Sequence, residues 1–261
     1  MKLVVLCLLL CACGGNTGGL RVTFSAFASG PSDAAPALAF DTRAGYHVVL
    51  DHARLHIGAL YFNEGQPIAG AQETGCVLQS TYVAQVVGSC DVDLLSPAPV
   101  AFAVAGSGLA RPAATGEVWY ADGDVNATDD TTQILVVSGT ATKGTVSYPF
   151  NGTVTIGKNR DLAPLSPAQP GSHPICKQRI VSGVSASFTP ANGGAVHLRV
   201  DPRPWFATLD FSRLPAAPQE SSANSSGYVI ADALSDTESA IFFGAFRAHS
   251  GYQFAWTASA P

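Results

Sequence analysis

The sequence predicts an all-β fold, mainly an antiparallel β-sandwich or a barrel-like sheet, with one short C-terminal α-helix. Three observations carry this. Apolar and polar residues alternate with period two through most of the chain, as half-buried strands require. The 26 Gly and 17 Pro are too many turn formers for a helical bundle. Charged residues make up 13% against 47% hydrophobic, about half the roughly 25% charged share of ordinary soluble domains. The formal charge of −5 excludes a basic nucleic-acid footprint.

The first element is a leader. Met1-Lys2 is followed by an unbroken apolar run from Leu3 to Leu10, then Leu10-Cys11-Ala12-Cys13 and Gly14-Gly15. The run is too short to span a bilayer and fits an export signal. The tetrapeptide resembles the lipobox of bacterial lipoproteins: an aliphatic residue, a variable one, a small one, then the cysteine that receives lipid. That resemblance implies a signal peptide over 1–12, acylation of Cys13, and a partner membrane reached through acyl chains. Gly14 in place of Asp implies sorting to the outer membrane, on the periplasmic face. Residues 14–19 (GGNTGG) form the rest of a tether over 13–19, and six residues reach at most about 20 Å.

Residues 20–261 then read as one β-rich domain, without an internal repeat or a long linker; two packed sheet lobes are the alternative. Leu20, Val22, Phe24 and Ala26 share one strand face. Residues 46–62 form a long apolar stretch broken at Gly58. Further strands are predicted at 81–87, 100–105, 117–121 and 134–142, each bounded by Gly, Pro, Asp or Ser. From 134 to 156 a meander is expected, turning at Lys143-Gly144 and again at Asn151-Gly152, since Asn-Gly is a strong hairpin signal. Pro149 places the middle run at an edge. Ile180–Phe188 and Ala195–Val200 are expected to form a hairpin, followed by a strand at 206–211. Ser235 and Glu238 fit a capping box for a helix whose apolar face is Ile241, Phe242, Ala245 and Phe246, stopped by Gly251. Residues 252–256 alternate as a closing strand.

Six cysteines occur. With Cys7 and Cys11 in the leader and Cys13 lipidated, Cys76, Cys90 and Cys176 remain, enough for one bridge. A strand over 81–87 spans roughly 23 Å, whereas bridged Cα atoms lie within about 7 Å. The expected disulfide therefore joins Cys176 to Cys76, or to Cys90.

Catalytic templates are absent: no Gly-x-Ser-x-Gly elbow, phosphate-binding loop or dinucleotide fingerprint is present. His52 and His56 on a strand stand about 13 Å apart, too far to share a metal. His173 and Cys176 have a spacing used by copper and zinc sites. Asp122, Asp124 and Asn126 occupy the first, third and fifth places of a calcium-loop pattern, and Asp129 and Asp130 could complete the shell. Ala127 replaces the turn glycine and Gln133 the bidentate Glu, so the match is partial. Arg203 and Trp205, in a stretch that Pro202 and Pro204 hold extended, are candidates for an aromatic ligand platform.

The expectation is a lipid-anchored envelope protein, a ligand- or partner-binding accessory module rather than an enzyme. A metal-handling lipoprotein, with calcium as the candidate cofactor, is the first alternative. A hydrolase with a non-sequential site is the second.

Overall fold

The computed structural model describes residues 19–66, 81–120, 133–155, 180–217, 227–231 and 235–258. The strands are β1 (Arg21–Ser29), β2 (Leu38–Asp41), β3 (His47–Asn63), β4 (Tyr82–Asp93), β5 (Val100–Ala101), β6 (Gly106–Leu109), β7 (Ala113–Trp119), β8 (Gln133–Lys143), β9 (Val146–Thr155), β10 (Ile180–Phe188), β11 (Ala195–Val200) and β12 (Tyr228–Ile230). Helix α1 (Thr237–Phe246) and β13 (Tyr252–Thr257) close the described chain. The strands join into one open sheet in the order β12-β9-β8-β3-β4-β6-β1-β11-β13, with β7, β10, β2 and β5 off this path. Pairing is antiparallel except at β1/β11 and β12/β9. The fold is thus an all-β sandwich with a short C-terminal helix, and its sheet does not close into a barrel. Its inner faces share one core, in which Phe62 of β3 touches Phe188 and Phe254 at 5.1 Å each.

The long strand β3 is the spine, and it changes face twice. Its register slips between Leu50 and His52 against β8, and between Ile57 and Ala59 against β4. A one-residue slip sends every following side chain to the other face. Val48, Leu50, Ala53, Leu55, Ile57, Leu60 and Phe62 consequently all enter the main core, while Ala59, Tyr61 and Asn63 turn outward. The predicted break at Gly58 is therefore a bulge inside one strand.

Several expectations need correction. Lys143-Gly144 does turn the chain, with Gly144 at φ 61°, but Asn151-Gly152 lies inside β9. Gly152 opposes Ile230 of β12, and a Cβ on it would stand 2.8 Å from that side chain. The glycine is there for close approach, not for a turn. β10 and β11 are not a hairpin: β10 pairs with β7, and β11 lies between β1 and β13. The connecting turn instead binds β1, where Thr23 N–H donates to Asn192 Oδ1 at 2.8 Å and Gly193 N–H to the Thr23 carbonyl at 3.2 Å. Two 3₁₀ turns, Arg203–Phe206 and Phe211–Arg213, replace the strand expected at 206–211. Pro204 in the first turn pre-sets its φ.

Helix α1 begins one residue later than expected. Asp236 is the N-cap, accepting from Ser239 N–H at 2.8 Å. Glu238 makes no capping box; it is buried and accepts from Asp210 N–H at 3.0 Å. The buried face is Phe242, Phe243 and Phe246, leaving Ile241 exposed. Gly251 sits beyond the helix in a 3₁₀ turn, where a Cβ would stand 2.5 Å from the Trp205 indole nitrogen. α1 and the 3₁₀ turns form an aromatic cap over the core. Phe206 packs on Phe242 at 5.1 Å, Trp205 on Phe246 at 5.1 Å, and Tyr120 stacks on Phe246 at 4.6 Å.

Candidate functional site

Arg203 and Trp205 do not form a common surface. Trp205 is wholly buried in the cap. Arg203 is clamped between two carboxylates: it donates to Asp33 at 2.8 and 3.2 Å, and to Asp201 at 2.7, 2.9 and 3.0 Å. The hydrogen bonds from Arg203 hold the Asp33 carboxyl below its ordinary range. The clamp ties the loop before β2 to the first 3₁₀ turn, and it leaves the guanidinium engaged within the protein.

His52 is exposed on β3 and His56 is half-buried, with its Nδ1 3.0 Å from Asp91 Oδ1. Among the described residues no three His, Cys, Asp or Glu side chains gather as a metal group. Cys90 is a buried free thiol in β4 whose Sγ donates to the Val100 carbonyl at 3.7 Å, and burial pushes its pKa up to about 11. Such a thiol is unreactive at neutral pH. Cys13, Cys76, His173, Cys176 and the acidic group Asp122, Asp124, Asn126, Asp129 and Asp130 lie outside the described residues.

A site that sequence reasoning did not find occupies the outer face of the sheet. The second bulge of β3 directs Tyr61 and Asn63 there, in register with Glu117 and Thr115 of β7. Tyr61 also pairs with Gln85 of β4, Gln85 with Ser107 of β6, and Ser107 with Thr23 of β1. One rung across five strands is thus Glu117, Tyr61, Gln85, Ser107 and Thr23, with a side chain able to hydrogen-bond at every position. It begins at a buried end and finishes at an exposed one.

At the buried end Glu117 is wholly enclosed, as is Asn63. Three donors converge on the carboxylate: Trp119 Nε1 at 2.8 Å, Asn63 Nδ2 at 3.0 Å and the Tyr82 hydroxyl at 3.4 Å from both oxygens. Tyr61 walls the group, 4.6 Å from Trp119 and 5.4 Å from Tyr82 between ring centres. Ala59, Trp119 and Ile180 make a small second core on this face. Burial raises the Glu117 pKa, against the opposing effect of its three hydrogen bonds. Burial and the nearby Glu117 charge likewise raise the pKa values of Tyr61 and Tyr82.

Asn63 Oδ1 is buried with no hydrogen-bond partner, an acceptor left open at a cost of about 1–3 kcal/mol. Burial opposes the Glu117 charge while its three donors support it, and burial is the larger effect.

At the exposed end, β4 and β6 pair only at Ala84–Gly108 and Gln85–Ser107. Beside those rungs lies a groove of about 250 Å³ lined by Arg21, Tyr82, Gln85, Ser107 and Leu109, among others. Tyr82 belongs to both ends: it lines the groove, and its hydroxyl reaches Glu117. Among the described residues no carboxylate pairs with Arg21.

A signal for this site was present in the sequence. Val118 and Tyr120 alternate with Trp119, so both faces of that strand carry large apolar groups, the mark of burial on both sides. Glu117 is in phase with Trp119 and had to be buried with it. Comparison of the chain with protein-family models, curated proteins and solved structures finds no match.

Proposed function

We propose that this protein is a lipid-anchored bacterial envelope protein, held by acyl chains on Cys13 in the outer membrane and facing the periplasm. It serves there as a binding module, and the groove on the outer face of β4, β6 and β1 is its ligand site. The observation that supports this reading is the groove's polar lining: Arg21, Gln85 and Ser107 carry donors, and among the described residues no Asp or Glu lines the groove. A cavity of this size suits a small polar group, being below the roughly 300–1,000 Å³ of drug-sized sites.

Two measurements test it. Cys13→Ser is expected to move the protein from the membrane fraction to the soluble fraction; an N-terminus without acyl groups in the wild type would refute the anchor. For the groove, thermal shifts of the Cys13→Ser chain with lysophospholipids, muropeptides and amino sugars are expected to raise the midpoint with at least one class. Loss of that shift in Gln85→Ala would tie it to the groove. No shift with any class refutes a small-molecule site.

A further inference from the structure

We propose that the groove at Arg21 receives the phosphate head group of an anionic phospholipid in the membrane that carries the protein. The inference rests on the lipid-anchor reading for its geometry. Seven residues lie between Cys13 and Arg21, and the eight extended Cα-to-Cα steps reach at most about 28 Å. Acylation at Cys13 thus holds the groove near the lipid head groups, whatever path the tether takes.

The chemistry of the groove selects the ligand. Arg21, the Gln85 amide and the Ser107 hydroxyl offer donors, and no side-chain hydrogen bond to another described residue engages them. Tyr82 also lines the groove, and its hydroxyl is held by Glu117. Several donors with no carboxylate among the described lining residues suit an acceptor-only anion, and a planar guanidinium matches phosphate oxygens in pairs. The groove, of about 250 Å³, has room for a head group.

Arg111, the other cation near the chain's entry, is paired with Glu64 at 2.7 Å. It adds little net attraction, so Arg21 carries the charge of this site. Attraction to anionic lipid amounts to about fivefold in partitioning per basic residue at the surface, and it weakens with salt.

The test uses the mature chain from residue 13 with Cys13→Ser, so that neither the leader nor an acyl group holds it to lipid. Flotation with phosphatidylcholine vesicles is compared with flotation using mixed phosphatidylcholine–phosphatidylglycerol vesicles, at low salt. Recovery with the mixed vesicles only is expected. Arg21→Ala should lower that recovery about fivefold. Ser107→Leu, which keeps every charge but fills the groove, should lower it as well. Unchanged melting midpoints show that both variants fold; if Arg21→Ala does not, Arg21→Gln replaces it.

Equal recovery with both vesicle types overturns the proposal, as does full recovery of Arg21→Ala. Loss with Arg21→Ala alone, while Ser107→Leu still floats, shows diffuse charge rather than a groove and also overturns it. Binding of inorganic phosphate without flotation assigns the groove to a free anion and not to lipid. These outcomes are independent of whether Cys13 is acylated in the cell, which fractionation and mass spectrometry of the wild-type chain decide separately.

Discussion

In the aromatic cap, Tyr120 and Tyr252 bury two hydroxyls 2.6 Å apart, and both reach the Phe246 carbonyl, at 3.2 and 2.9 Å. On the outer face, Glu117 buries a carboxylate beside an amide oxygen that has no partner. The tyrosine pair is neutral and its hydroxyls answer one another, although the same cap also buries the Glu238 carboxylate and leaves the Trp205 indole N–H without a partner. The outer site buries a titratable group where desolvation opposes its charge. The difference lies in what is buried: a self-satisfied hydroxyl pair in the cap, and on the outer face a carboxylate whose pKa burial raises.

The largest expected effect is in the cap. Phe246→Ala removes the ring that Tyr120, Trp205 and Phe243 all touch. A loss of about 3–5 kcal/mol is expected, read from urea denaturation. A loss under about 1 kcal/mol would break the contrast, because the cap would then not support the core.

Glu117 gives an intermediate and more diagnostic result. Glu117→Ala strands the Trp119 indole N–H and the Asn63 amide, at about 1–3 kcal/mol for each group. Glu117→Gln keeps an acceptor for Trp119 and supplies a donor to Asn63, so its stability at neutral pH is expected within about 1 kcal/mol of the wild type or above it. The pH dependence sharpens this. Because the folded pKa of Glu117 is raised, the folded state holds its proton after the unfolded state has lost one. Its contribution is whole below the ordinary Glu pKa of about 4.3 and is lost as pH rises from there through the folded value. Wild-type stability should therefore fall with rising pH relative to Glu117→Gln. The difference between the two curves isolates this group from carboxylates such as Asp91 and Asp210, whose pKa values are lowered. Parallel curves would show that Glu117 is ionised in the fold.

The smallest effect separates two caps of α1. Asp236→Ala should cost about 1 kcal/mol, whereas Ser235→Ala should change stability by no more than about 0.5 kcal/mol. Both are measured by thermal or urea unfolding. The reverse order would restore the capping box at Ser235.

Much of the fold was legible because alternation is a local property. The strands at 21–29, 47–63 and 133–143, the closing strand and the helix follow from period and composition with small shifts at their ends. What failed was pairing. Asn151-Gly152 has the composition of a turn and lies in a strand, since the need for close approach to Ile230 comes from another part of the chain. The cap of α1 moved by one residue because Ser235 and Asp236 are both good N-caps, and local chemistry does not rank them. Ligand candidates were chosen by residue type, so Arg203 and Trp205 drew attention, although packing consumed both.

By itself, the sequence determined a β-rich, weakly charged domain and the positions of most strands, since hydrophobic period acts through nearest neighbours. Tertiary structure alone decided which face of β3 holds Tyr61 and Asn63, because two bulges reverse its alternation. It also decided that Glu117 meets Asn63, 54 residues away, and that Arg21 meets Gln85 and Ser107 across β1, β6 and β4. Such meetings depend on strand order and register, which arise from the packing of the whole sheet and leave no mark on any short stretch of chain.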